Sequence, residues 1–184
     1  MTETVIELKV LRPDAVLVAE RSALVAAPRE ALSGARLTVI ENGKPRAREL
    51  LGGIADRLVE QFGLGSYQVV SKPSASKVIT DQQVAEIAAA SDVVLTGLGD
   101  CAGCSACSLQ DALLMERAGR PATVVISEPF TGLITSFSQK LGAPGYGVAV
   151  VPHPVSSRAP EDLAALAARV AGRVATRIST ATAG

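Results

Sequence analysis

The chain's three cysteines, Cys101, Cys104 and Cys107, fall within seven consecutive residues, Cys-Ala-Gly-Cys-Ser-Ala-Cys, and the chain has no others. A secreted disulfide framework spreads its cysteines along the sequence, so this clustering points to reactive thiols or to metal ligands. In a Cys-x-x-Cys pair the first thiolate attacks a substrate, and the second thiol attacks the adduct and leaves a disulfide behind. Cys101 is the expected attacking group and Cys104 the resolving one. Cys107 would lie close to the Cys104 face of a helix, where a third redox partner, a ligand and a small core residue all stay open as readings. As metal ligands the three thiols are one short of a ferredoxin-type run or a zinc site, and the sole histidine, His153, would have to supply the fourth. The expectation is therefore a site without metal or organic cofactor. Gly97-x-Gly99 lacks the third glycine of a dinucleotide fingerprint.

Other chemically able residues recur at comparable places. Asp100 precedes Cys101, and Gly99, which stands before both, is a candidate substrate contact, as are Asn42, Gly43, Ser74, Ser76 and Glu128. Asn42, Gly43 and Lys44 follow one β-branched run; Lys72, Ser74 and Ser76 follow the next; Glu128 follows the fourth; His153 stands between Pro152 and Pro154 after the fifth. Lys44 and Lys72 are expected to hold negative charge and His153 to move a proton, with Asp100, Cys101, Cys104 and Cys107 completing the catalytic group. Ser105 and Ser108 read first as capping or first-turn residues, and Ser105 is also a candidate substrate contact. No acid or histidine stands at a spacing that supports a serine nucleophile.

Those positions are meaningful because of the elements between them. Arg36–Ile40, Tyr67–Val70, Asp92–Thr96, Ala122–Ile126 and Tyr146–Val151 read as strands. Segments with helical apolar spacing separate them: 46–62, about 81–90, a helix through Leu109–Glu116, one near 131–141 and one from about 161 to 178. Continuous valine, isoleucine and leucine runs belong to strands buried on both faces, so the fold class is α/β, a single three-layer domain with a five-stranded parallel sheet. The expected strand order is the doubly wound, flavodoxin-like 2-1-3-4-5. Ligands of such sheets collect beyond the carboxyl ends of the strands, where order reverses, which would set Asn42–Lys44 across a crevice from Asp100–Cys104. Residues 1–34 read as a leading arm packed on the domain, 35–178 as the α/β domain and 179–184 as a frayed tail.

The 184 residues carry 18 Lys and Arg against 18 Asp and Glu, with 48% hydrophobic residues. That balance recommends neither nucleic acid nor an anionic membrane as partner, and leaves a small-molecule substrate. No secretion signal or membrane-spanning run is legible, so a cytoplasmic location is expected. The alanine- and leucine-rich last helix suits either core packing or a homodimer face.

The segments Asn42-Gly43-Lys44-Pro45, Lys72-Pro73-Ser74-Ala75-Ser76, Gly97–Ser108 and Val151-Pro152-His153-Pro154, in that order, resemble the UGSC family of (seleno)proteins over about residues 35–155. Members carry selenocysteine or cysteine followed by Gly-Ser-Cys, where this chain has Cys101, Ala102, Gly103 and Cys104. That motif is in turn similar to the selenocysteine-x-x-Cys-x-x-Cys of glycine reductase component B, in which the selenol takes part in reductive cleavage of a carbon–nitrogen bond. The resemblance implies a redox-active first position, here the thiol of Cys101, with Cys104 and Cys107 matching the two following cysteines. The leading expectation is a thiol-dependent, oxidoreductase-like enzyme that cleaves or exchanges a C–N or C–S bond of a small polar or anionic metabolite, served by a thiol reductant or partner subunit. Two alternatives stay open: a non-redox lyase, transferase or ring-forming enzyme using the charged residues of the same pocket, and a metal or iron–sulfur binding subunit.

Overall fold

The computed structural model describes residues 25–180. Its elements alternate strictly: β1 (Arg36–Glu41), α1 (Ala47–Phe62), β2 (Ser66–Ser71), α2 (Asp81–Ala90), β3 (Val93–Gly99), α3 (Ala102–Arg117), β4 (Ala122–Ser127), a 3-10 turn (Glu128–Phe130), α4 (Thr131–Lys140), β5 (Ala149–Val151) and α5 (Pro160–Ile178). All strands are parallel and lie in the order β2-β1-β3-β4-β5. This is the flavodoxin-like α/β order expected from the sequence.

The β-branched runs make the strands and two apolar layers hold them. One layer packs α1 and α5 on the sheet through Leu50, Ile54, Leu58, Leu166, Val170 and Val174. The other packs α2, α3 and α4 on the opposite face, through residues such as Ile87, Leu109, Leu113 and Ile134. β3 and β4 are buried along their whole length, whereas β2, on the edge, is largely exposed. Turn chemistry closes the elements. A capping box between Thr80 and Gln83 opens α2, and Gly63, at φ 66°, closes α1 in the left-handed region that favours glycine.

Three boundaries differ from the sequence reading. The helix read through Leu109–Glu116 extends back to Ala102, where the Cys101 side chain caps it, so α3 takes in both Cys104 and Cys107. β5 is only Ala149–Val151. Tyr146, expected in that strand, turns away so that its hydroxyl donates to the Ala122 carbonyl (2.6 Å) and toward Glu116 (3.3 Å). Ser179 is buried and the Thr180 N–H donates to the Arg29 carbonyl (2.7 Å), so these two residues of the expected tail are tied to the domain. Of the leading arm, Leu32 joins the core and Arg29 bridges Ser179; residues 1–24 and 181–184 lie outside the described residues.

Candidate active site

Because β3 lies between β1 and β4, its carboxyl end sits at the centre of the sheet edge. The turn Gly99-Asp100-Cys101 therefore reaches both neighbours. Gly99 is tightly enclosed: a Cβ there would fall 2.2 Å from Ile126 Cδ1, 2.8 Å from Ser105 Oγ and 3.2 Å from Ser105 Cα, so any larger residue forces a shift. The turn is thus pressed against β4 and the first turn of α3.

On the β1 side stand the thiols. Cys101, half-buried, is the N-cap of α3, with its Sγ accepting the Cys104 N–H at 3.2 Å. The Cys104 thiol donates back to the Cys101 carbonyl, also at 3.2 Å. Burial pushes the Cys101 thiol up, but the Cys104 thiol and N–H and the nearby Lys44 ammonium outweigh it, so its pKa lies below the ordinary thiol value. Cys104 is fully buried, and burial together with the facing Cys101 sulfur pushes it up to about 11. The two thiols are thereby differentiated into a thiolate-forming group and a proton-holding one. Cys107 is half-buried, and burial raises its pKa against the opposing influence of Lys72.

Of the β1 and β2 loop residues expected to bind substrate, Lys44 is the one whose charge acts on Cys101 and Cys104. Asn42 is buried and structural: its Nδ2 donates to the Leu98 carbonyl (2.9 Å) and to Ser108 Oγ (3.2 Å), which ties the β1 loop to the end of β3 and to α3. Gly43, at φ 76°, is exposed and its N–H donates to Glu41 Oε1 (2.5 Å). Lys72 is the clearest departure. Its ammonium is buried and ion-paired with Asp111 of α3, itself buried, so its charge is already taken up. The second Asp111 oxygen accepts the Ile79 N–H (2.9 Å), so one carboxylate fixes both ends of the loop 72–79. Within that loop the Ser74 hydroxyl accepts the Ser76 N–H (3.2 Å), and Ser76 is exposed. Burial raises the Asp111 pKa, and Lys72 and the Ile79 N–H oppose it.

On the β4 and β5 side Asp100 turns toward His153. His153 Nδ1 lies 2.9 Å from Asp100 Oδ1 and 3.1 Å from Ser127 Oγ. Asp100 also accepts the N–H groups of Val155 and Ser156 at 3.2 to 3.3 Å. Burial would raise its pKa, but the Ser127 hydroxyl, these two N–H groups and His153 outweigh it and hold the carboxyl below the usual range. The Phe130 ring meets the imidazole edge-on, with centroids 5.7 Å apart. Glu128 is exposed at the start of the 3-10 turn. Ser105 is fully buried, and its hydroxyl has no hydrogen-bond partner among the described residues.

The site thus has two halves joined by one turn: Lys44, Cys101 and Cys104 on one side, Asp100, Ser127 and His153 on the other. No group of three or more His, Cys, Asp or Glu side chains among the described residues is gathered to hold a metal ion. Sequence reasoning passed over Ser127 and Asp111. Ser127 closes a continuously buried strand, one residue before the Glu128 that was singled out. Asp111 carried a signal, a carboxylate four residues after Cys107 and directly before the apolar run Ala112–Met115.

No curated protein matches the chain at a significant level. Among solved structures it is similar to the flavodoxin-like domain of a Synechococcus protein, at 13% identity and a TM-score of 0.45, over 76% of this chain and 90% of that one. The UGSC family model matches residues 9–180, a span that takes in both halves of the site, and the chain accordingly belongs to the UGSC family.

Proposed function

We propose that the protein is a thiol-dependent enzyme that reductively cleaves a small, anionic metabolite, with Cys101 as nucleophile, Cys104 as resolving thiol and His153 as proton carrier. The observation that supports this reading most is the opposed pair of environments on Cys101 and Cys104. Lys44 beside Cys101 favours a negatively charged substrate.

The overall change is R–X plus two thiols giving R–H, H–X and a disulfide. The Cys101 thiolate forms a bond to R as X departs with the R–X electron pair and takes a proton from His153. Cys104, after giving up its proton, attacks the Cys101 sulfur. The S–S bond forms, the S–R bond breaks, and R leaves with that electron pair and takes a proton. R must therefore be able to carry an electron pair, as a carbon next to a carbonyl does. A low-molecular-weight thiol or dithiol returns the disulfide to two thiols. Three free cysteines suit a reducing compartment, so a cytoplasmic setting goes with this reading.

The test begins with the reduced protein, mildly oxidised with diamide and mapped by mass spectrometry. A reversible loss of two hydrogens on Cys101 and Cys104 supports the reading. Turnover of a cleaved substrate that survives Cys101→Ser in a folded protein overturns it.

A further inference from the structure

We infer that Asp100 is a positioning residue that holds His153 in the tautomer with the proton on Nδ1, leaving Nε2 as the proton-transfer atom. The Asp100 side chain is only 2% exposed, against 36% for His153, so Asp100 acts through the imidazole and does not touch substrate itself. An ionised carboxylate only accepts hydrogen bonds, and Asp100 already accepts the Val155 and Ser156 N–H groups. The hydrogen between Asp100 Oδ1 and His153 Nδ1, 2.9 Å apart, therefore belongs to the ring.

Ser127 agrees with this assignment. Its Oγ lies 3.1 Å from the same Nδ1, and its one proton has other acceptors, the Gly99 carbonyl at 3.2 Å and the Asp100 carboxylate, so an oxygen lone pair is left to face Nδ1–H. If the Ser127 hydroxyl donated to Nδ1 instead, the ring lone pair would face the carboxylate as well. Because both contacts fall on one nitrogen, Ser127 is not activated as a nucleophile through the far side of the ring, as a serine triad requires. Asp100, Ser127 and His153 come from three adjacent strand ends, β3, β4 and β5, so the sheet order itself assembles them.

The step assigned to Nε2 rests on the thiol reading above. As imidazolium, His153 gives its Nε2 proton to the departing X, the N–H electron pair stays on Nε2, and the proton released by Cys104 restores the imidazolium. The tautomer does not depend on that chemistry.

The chain has a single histidine, so its imidazole gives one ¹⁵N spin system. In the neutral ring of the wild-type protein the expected pattern is a proton-bearing Nδ1 and a bare Nε2. In Asp100→Asn, whose amide can donate to Nδ1, the proton moves to Nε2, and diethyl pyrocarbonate modifies His153 several-fold more slowly. A proton on Nε2 in the wild type, or an unchanged tautomer in folded Asp100→Asn, overturns the inference. If Asp100→Asn does not fold, the wild-type pattern decides alone. Wild-type Nδ1–H in a protein whose turnover survives Cys101→Ser defeats only the thiol reading; Nε2–H in one that needs Cys101 defeats only this inference.

Discussion

The Cys104 N–H points at Cys101 Sγ across 3.2 Å while the Cys104 thiol donates to the Cys101 carbonyl over the same distance. One residue thus stabilises charge on its neighbour with its backbone and keeps its own proton with its side chain. The position at the start of α3 reinforces the first effect, because a thiolate is favoured at the N-terminal end of a helix.

Lys44 contributes to this asymmetry, and removing its charge should show it. Lys44→Met disfavours the Cys101 thiolate, so the midpoint of alkylation rate against pH moves up, and at neutral pH the rate falls roughly three- to tenfold. Iodoacetamide labelling followed by peptide mass spectrometry measures it. An unmoved midpoint would show that the lysine does not act on the thiol.

Closure of the Cys101–Cys104 disulfide should be limited by the Cys104 proton. With that thiol pushed up to about 11, the rate of closure from a Cys101 mixed disulfide rises roughly tenfold per pH unit through the neutral range. Stopped-flow mixing with a chromogenic disulfide reads the second phase. In Cys104→Ser the mixed disulfide persists, and a second phase that remains would assign resolution to Cys107.

Lys72 and Asp111 are a buried pair, so removing one partner leaves an uncompensated charge. Lys72→Met should cost about 3–5 kcal/mol, and Lys72→Met with Asp111→Leu should recover part of it. Urea unfolding gives both values. A single variant as stable as the wild type would mean that the pair is solvated in solution.

Gly99 and Gly103 should respond oppositely to alanine. At Gly99 the new Cβ meets Ile126 Cδ1 at 2.2 Å and the Ser105 Cα at 3.2 Å, so the turn must move. The expected cost is about 1–3 kcal/mol, with slower Cys101 alkylation. At Gly103, in the first turn of α3, nothing lies within 4 Å, and alanine should stabilise by about 0.5 kcal/mol through helix propensity. Thermal unfolding of the two variants checks the pair.

Asp100 has its folded pKa lowered. Its stabilisation is therefore fully present above the unfolded value, near 3.9, and lost as pH falls through the lower folded value. Asp100→Asn should be less stable than the wild type at neutral pH, with the gap closing in acid. A gap independent of pH would show that the carboxylate charge contributes nothing.

The one-dimensional pattern was enough for the architecture. Strands such as Val93–Leu95 and Val124–Ile126 are continuous apolar runs because both faces are covered, and helices of 3.6-residue period between them leave parallel crossovers as the economical connection. Boundaries set by side-chain hydrogen bonds were less legible. The start of α3 depends on a cysteine acting as N-cap, and the short β5 depends on where the Tyr146 hydroxyl finds a partner.

The sequence by itself determined the fold class and singled out the candidate turn, since these follow from local hydrophobic period and from the clustering of Cys101, Cys104 and Cys107, whereas the strand order was an expectation from the doubly wound class that the structure bears out. Only the tertiary structure decided how the charged residues divide. Lys44 and Lys72 follow neighbouring strands and look alike in sequence, yet Lys72 meets a buried carboxylate 39 residues away while Lys44 lies beside Cys101. Asp100 likewise sits next to Cys101 in the chain but turns to His153, 53 residues on. The physical reason is common to both. A charge in a folded chain is assigned by the partner that repays its desolvation, and for these residues that partner is distant in sequence and brought near only by the packing of the sheet.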